Sequence, residues 1–487
     1  MKFNIKYIYL ALLLVAKLVF ATPKLLTTDQ ALFNELNSLV NRNVIKLNLS
    51  IWPLSLSEIY YALAMAEPKS QSEKLIVQYL RLSLKERRDG FSLEAELNSK
   101  YPILQTGITN AYDQSRFSAI QVFGSQNLDF HIQVNSLSGK TVYRSKQIDF
   151  IGSYVAAKVW NQWISIGQQK RFWGIGHTGS LILGDSARPI IGINMQRDLQ
   201  TPFKTKWLAW LGRWQYQFFG GQMLNYEGME SPRNTKLIGM RLSISPTDFF
   251  DLGFSRVIQW GGRGRPQNMS SLTNALLGRD NVGDNISEEE PGNQIAGVDF
   301  RIKLMPLIQW PISVYGQVMG EDESNYLPTQ NFYLVGVDGS HSISHRQTWN
   351  WYLEGIDTSI DFGRRTNTYQ HHIYRDGYYN QKLPLGYPLG SSMRSITFGF
   401  NSHYHSSDIS AVIKDYHWGF KLLQAETILP KKSNLNKKTY RHIELNWLGE
   451  IPINQYIKLK LGLSSWYSKV KEDHNQVGVR FKANISF

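Results

Sequence analysis

From about Arg116 to the last residue, polar and apolar side chains alternate with a period of two. Val298, Phe300, Ile302 and Leu304 are interleaved with Asp299, Arg301 and Lys303. Trp214, Tyr216 and Phe218 alternate with Arg213, Gln215 and Gln217, and Ile457, Leu459, Leu461 and Leu463 with Lys458 and Lys460. Successive side chains of a strand point to opposite faces, so each segment reads as a strand with one apolar and one polar face. Soluble sandwiches also show this period, and three further features select a membrane barrel. The segments approach the about 9–11 residues that a tilted membrane strand requires. Large rings cluster toward strand ends, at Trp207/Trp210/Trp214, Trp349/Trp351/Tyr352 and Trp466/Tyr467, where an interfacial girdle would lie. Tight turns such as Ser245-Pro246-Thr247-Asp248 alternate with long polar loops, Gly261–Gly292 and Arg364–Ser392. At about 20 residues per strand and connection, residues 115–487 supply about 18 strands, an even number as in bacterial outer-membrane barrels. The chain closes on Val479, Phe481, Ala483, Ile485 and Phe487 alternating with Arg480, Lys482, Asn484 and Ser486. An amphipathic last strand with a terminal Phe resembles the signal by which barrels engage their assembly machinery.

The N-terminus carries a different pattern. Lys2 and Lys6 precede a run from Tyr7 to Phe20 that is apolar except for Lys17, and Val19-Phe20-Ala21 suits a signal peptidase. Residues 1–21 are therefore expected to be a signal peptide, cleaved after Ala21. Its loss takes the formal charge from +14 to +11. From Thr22 to Gln114 there are ten basic and ten acidic residues, so the whole excess lies between residues 115 and 487. Residues 22–114 are expected to form a periplasmic helical region, with a three-helix bundle over 28–98. Thr28 or Asp29 can cap Leu32, Phe33, Leu36, Leu39 and Val40; Ser55–Glu58 and Ser70–Glu73 read as capping boxes; Pro68 and Gly90 break the pattern. A bundle this small is marginal alone and should lean on something larger.

The chain has no Cys, which excludes disulfides, thiol catalysis and Cys-ligated metals. Gly174-Ile175-Gly176-His177-Thr178-Gly179 matches a dinucleotide fingerprint, but no helix start follows, so it reads as a tight turn with close backbone approach. His341/His345, His371-His372 and His403-Tyr404-His405 have metal-like spacing but read as solvated histidines. The acidic clusters Glu288–Glu290 and Glu321–Glu323 read as solvated loop. No G-x-S-x-G nucleophile elbow stands at a strand–helix junction. The basic loop Gly261-Gly262-Arg263-Gly264-Arg265 suits an extracellular polyanion or lipopolysaccharide phosphate, since export excludes nucleic acid.

The segment from Arg171 to Pro189, RFWGIGHTGSLILGDSARP, resembles the signature of the Wzi-type capsule-assembly proteins of the bacterial outer membrane. That family often has Ser-x-Asn ahead of Ala-Arg-Pro; Gly184-Asp185-Ser186 stand there, so no role of that Asn carries over. The resemblance implies an 18-stranded barrel with helices against its lower mouth and extracellular loops folded over or into the lumen. It also implies a lectin-like, non-enzymatic role in binding capsular or exopolysaccharide, without a cofactor.

The expected protein is thus mostly β: a transmembrane antiparallel barrel of about 18 strands with a small periplasmic helical bundle. It is expected to be monomeric, to meet outer-membrane lipid and lipopolysaccharide, and to bind an acidic polysaccharide. Candidate contacts are Arg171, Trp173, His177, Asp185 and Arg188, with Arg263 and Arg265 in a loop; internal ion pairing is the competing role for Arg171 and Arg188, and lumen packing that for Trp173. A diffusion channel for sugars or anions and an outer-membrane hydrolase are the rival readings.

Overall fold

The computed structural model describes residues 24–85, 90–100, 113–141, 146–277, 292–324, 327–405, 413, 415–429, 438–454, 457–470 and 475–487. The signal-peptide expectation lies outside them. Eighteen antiparallel strands close into one barrel. In chain order they are β1 Phe91–Asn98, β2 Asp113–Gly124, β3 Leu128–Thr141, β4 Tyr154–Val159, β5 Gln162–Gly167, β6 Ile191–Arg197, β7 Arg213–Gln222, β8 Lys236–Ser245 and β9 Phe250–Trp260. There follow β10 Gly292–Lys303, β11 Ile312–Ser324, β12 Leu327–Ser342, β13 Gln347–Asp357, β14 Met393–His405, β15 Asp415–Thr427, β16 Thr439–Pro452, β17 Lys458–Val470 and β18 Gln476–Ser486. The two-residue stretch Ile148–Asp149 pairs with β3 ahead of β4. Every neighbour is next in sequence, and the seam is closed by β18 against β1, with Arg480 opposite Asn98 and Ser486 opposite Ser92.

The alternation read from sequence decides which face meets lipid. On β10 Asp299, Arg301 and Lys303 are buried in the lumen while Val298 is exposed outward. Apolar exposed positions recur around the wall, among them Ile193, Leu242, Phe254, Val335, Ile396 and Leu445. No helix among the described residues is long and apolar enough to cross a membrane; the chain crosses with strands. Trp160, Trp207, Trp210 and Trp310 are exposed, all at the short-turn end. In outer-membrane barrels short turns face the periplasm, so these rings form the interfacial girdle there. Two members of the expected girdle turn inward instead: Tyr352 and Trp466 fall on the lumenal phase of their strands and are buried.

Three helices, α1 Gln30–Asn41, α2 Leu56–Ala64 and α3 Gln71–Lys85, occupy the periplasmic mouth. Asp29 caps α1 by accepting from Leu32 N at 2.9 Å. The Ser70–Glu73 box forms, with Ser70 N donating to Glu73 Oε2 at 3.0 Å and Glu73 N to Ser70 Oγ at 3.2 Å. The Ser55–Glu58 box does not form: Ser55 Oγ donates to Asp198, and Glu58 accepts from Gln200 N at 2.7 Å. Both side chains serve the helix–wall joint rather than the helix end. Leu32, Phe33, Leu36, Ile59, Leu63, Val77 and Leu80 make one apolar cluster between the helices. The expected helical stretch to residue 98 stops short. Phe91–Asn98 is a wall strand, so the barrel begins at Phe91 instead of near residue 115. Its Leu93 and Leu97 face outward while Ser92, Glu96 and Asn98 are buried inside.

A barrel whose backbone groups are all paired within the wall resists detergent until heated. The protein is expected to migrate faster on a dodecyl sulfate gel before boiling than after, with a β-type circular-dichroism spectrum. Identical mobility in the two lanes would contradict the closed wall.

Candidate functional site

Two segments enter the lumen from the long-loop, extracellular end. One is residues 168–190, between β5 and β6, which contains the signature stretch. The other is residues 358–392, between β13 and β14. Trp173, Leu181, Leu183, Phe219, Tyr315, Met319, Leu334, Tyr369, Tyr378 and Leu385 pack into one apolar core inside the barrel. Three tyrosines lock the segments together. Tyr369 Oη donates to Leu181 O at 2.6 Å, Tyr378 Oη to Ile182 O at 2.8 Å, and Tyr387 Oη to Thr178 Oγ1 at 3.2 Å. Phe172 and Trp173 also pair antiparallel with Trp52 and Ile51, which ties the lumenal segment to the N-terminal region.

The lumenal wall holds this plug through buried polar groups. Glu354 on β13 accepts from His177 N at 2.8 Å, Thr178 N at 3.1 Å, the Thr178 hydroxyl, and Tyr315 Oη at 3.1 Å. Gly176 stands beside it because a Cβ there would lie 3.0 Å from Glu354 Oε2 and 2.5 Å from Gly179 O. This close approach is the work of the glycines that mimic a nucleotide fingerprint. Asp338 on β12 lies 2.7 Å from His177 Nε2 and accepts from Arg301 at 2.6 Å, Asn37 Nδ2 at 3.0 Å and Asn41 Nδ2 at 3.1 Å. One carboxylate thereby joins the wall, helix α1 and the lumenal segment.

Five of the seven residues expected to touch polysaccharide are inside this assembly. Arg171 is buried, donates to Asn194 Oδ1 at 3.3 Å and lies 4.9 Å from the Phe219 ring; burial pulls its guanidinium down to about 10. Trp173 is fully buried and donates from Nε1 to Gln217. His177 stacks on Tyr352 at 4.4 Å. Asp185 accepts from the Thr28 hydroxyl at 3.3 Å. Arg188 pairs with Asp113 at 3.1 Å and donates to Thr141 Oγ1 at 3.2 Å near the extracellular rim. These five build the plug and are not solvent-facing contacts. Arg171, Trp173, His177 and Arg188 each meet a polar group of the wall, at Asn194, Gln217, Asp338 and Asp113, whereas Asp185 meets Thr28 of the N-terminal region. Sequence spacing marks such residues as unusual without saying which side of the protein they face.

The other two candidates sit where a polymer can reach. Arg263 is exposed and Arg265 half-buried in the loop after β9, at the extracellular end. The structure adds Arg233, Arg364, Arg365 and Arg375, all exposed on loops of that end. Sequence reading left them out because only the fold brings loops 223–235, 261–265 and 358–392 to one rim. Two other expectations are corrected. Glu321 is buried and accepts from Tyr369 N, whereas Glu288–Glu290 lie outside the described residues. His403 is buried in the wall, not solvated.

The geometry defines a class: an outer-membrane β-barrel stoppered by its own chain and presenting arginines at its extracellular rim. Comparison with known proteins narrows this. The model of the capsule assembly protein Wzi family matches residues 85–456, and the chain belongs to that family. It is 37% identical over 472 residues to an uncharacterised 55.8 kDa protein in the cps region of Klebsiella pneumoniae, covering 95% of this chain and 89% of that one. The solved Wzi of Escherichia coli is 34% identical, with a TM-score of 0.83 over 95% of this chain and 99% of that chain. That protein is described as an outer-membrane protein involved in group 1 capsule assembly and a carbohydrate-binding β-barrel.

Two predictions follow from the plug. Glu354→Ala orphans four buried donors, each worth about 1–3 kcal/mol when unsatisfied. The variant should lose its heat-modifiable form at a clearly lower temperature than wild type, on the scale of roughly 3 kcal/mol or more. Burial pushes the Asp185 carboxyl up to about 7 from an ordinary 3.8, against the pull of Lys170 and the Thr28 hydroxyl. The folded state keeps a proton that the unfolded chain releases between these values. This contribution is full below pH 3.8 and lost as pH rises through about 7. Asp185→Asn should flatten the decline of melting temperature across that window.

Proposed function

We propose that this protein binds an acidic capsular or exopolysaccharide at the cell surface and helps to assemble or anchor it, as a monomeric, non-enzymatic lectin. The observation that carries this reading is the arginine rim above a lumen that segments 168–190 and 358–392 obstruct from the extracellular end. The chain inserts segments 168–190 and 358–392 where a diffusion channel would keep water, so passage of sugars or anions is the weaker reading. At the extracellular end Arg233, Arg263, Arg265, Arg364, Arg365 and Arg375 lie on the loops 223–235, 261–265 and 358–392, all exposed except the half-buried Arg265. A guanidinium offers uronate or phosphate groups a planar pair of donors, and the charge-assisted bond is about twice as strong as a neutral one. The same arginines suit lipopolysaccharide phosphates at the bilayer edge. Carbohydrate binding by the Escherichia coli Wzi supports the reading, and the alternating last strand ending in Phe487 supports recognition by the barrel-assembly machinery.

Purified protein should bind the acidic capsular polysaccharide of its own cell, with affinity falling as salt rises, because exposed charges are screened over about 10 Å at 0.1 M. A neutral glucan should bind weakly and without salt dependence. Replacing Arg263 and Arg265 together with Gln should weaken acidic-polymer binding while heat modifiability stays normal. Arg171→Gln should act on stability first. Equal affinity for the neutral glucan, or no loss in the double variant, would count against the rim.

A further inference from the structure

The periplasmic mouth contains a side-chain cluster that neither the plug nor the rim uses. Strands β14 and β15 pair His403 with His417 and His405 with Asp415 in register. Positions two apart share a strand face, so all four side chains project from one patch of wall. His403 and Asp415 are buried, and the His403 and His417 rings stack at 4.1 Å. Opposite this patch, helix α1 presents Glu35, also buried. Glu35 Oε1 lies 3.3 Å from His417 Nε2 and 3.8 Å from His403 Nδ1. His417 Nε2 is also 3.6 Å from Asp415 Oδ2. Each of Glu35, His403, Asp415 and His417 offers a donor atom, and the four atoms lie within 4.8 Å of one another.

We propose that these four residues bind one transition-metal dication, zinc by preference, which clamps helix α1 to the barrel wall. Two imidazoles and two carboxylates make a four-ligand nitrogen–oxygen set of the kind that zinc takes in tetrahedral sites. The imidazoles select against calcium and magnesium, which prefer all-oxygen ligands. The two buried carboxylates already face the imidazoles, Asp415 Oδ1 against His403 Nε2 and Glu35 Oε1 against His417 Nε2. A dication would take the place of the imidazole protons, because a ligating histidine must be neutral. A supporting layer is present. The Tyr79 hydroxyl from α3 donates to Asp415 Oδ2, as a group that orients a metal-bound carboxylate would. His405 Nδ1, which has no hydrogen-bond partner, stands 4.0 Å from Asp415 Oδ1. The ligands come from residues 35 and 403–417, so the ion would hold the N-terminal helices to the far side of the barrel.

The test uses the full chain purified in detergent and stripped with a chelator. Titration with zinc chloride should show one ion per chain and a higher melting temperature, both reversed by chelator. Cobalt(II) should give the intense visible absorption of a tetrahedral site. His417→Gln and Glu35→Gln should each weaken zinc binding by at least the about 10–100-fold that loss of even a supporting residue costs. The loop variant His371→Ala/His372→Ala should bind as wild type. Lack of stoichiometric zinc binding by folded wild-type protein would overturn the proposal, and so would a weak octahedral cobalt spectrum. Loss of binding in the loop variant with retention in His417→Gln and Glu35→Gln would place the ion on the loop and overturn it equally. The cobalt spectrum of the wild-type chain decides the matter even if both ligand variants misfold.

Discussion

A barrel that turns its polar face inward and then draws its own chain into the lumen must find partners for most of the polar groups it buries there. Buried polar atoms without partners cost about 1–3 kcal/mol each, and the lumenal phase of the strands supplies dozens of them. Asp338 and Glu354 show how the demand is met. Glu354 gathers two backbone amides and two hydroxyls around the turn at Gly176. Asp338 collects Arg301 from the wall, Asn37 and Asn41 from the helix, and His177 from the lumenal segment. Pairs such as Arg241 with Asp299 and Lys303 with Asp251 complete the lining without help from the plug. The position of the helices and of segment 168–190 is thus dictated by the wall's hydrogen-bonding needs as much as by apolar packing.

This explains what could be read from the chain and what could not. The wall strands were legible because lipid imposes a strict two-residue period over most of the chain, and the strand number followed from length. The three helices were legible from caps and from the spacing of Leu32, Leu36, Ile59 and Leu63. Strand β1 was hidden because Leu93, Glu94, Ala95, Glu96 and Leu97 at its centre are good helix formers and α3 ends only at Lys85. Its alternation of Phe91, Leu93, Ala95 and Leu97 with Ser92, Glu94, Glu96 and Asn98 was the available signal. Segment 171–189 was recognisable as a pattern, but its destination was not. A buried arginine and an exposed one look alike in sequence, and only the fold places Arg188 beside Asp113 and Arg171 beside Asn194.

Burial in the lumen and exposure at the rim therefore fall on different residues. Arg171, Trp173, His177, Asp185 and Arg188 face the interior, where a change of side chain disturbs several partners at once. Arg263, Arg364 and Arg375 sit on loops whose side chains meet solvent. The plug supplies a rigid floor, through Tyr369, Tyr378 and Tyr387, beneath the loop that bears Arg364, Arg365 and Arg375.

The seam between β18 and β1 imposes an order of events. Ser92 and Ser486 face each other across it, so the wall closes only when β18, the last wall strand in chain order, finds β1, the first. The helices precede β1, and segment 168–190 hangs between β5 and β6, so neither needs the closed seam to be in place. An open sheet admits them sideways; a closed cylinder would admit them only through its ends, past loops that are themselves folding inward. The two-residue ribbon between Ile51–Trp52 and Phe172–Trp173 is thus a seal best laid before the last stave goes in.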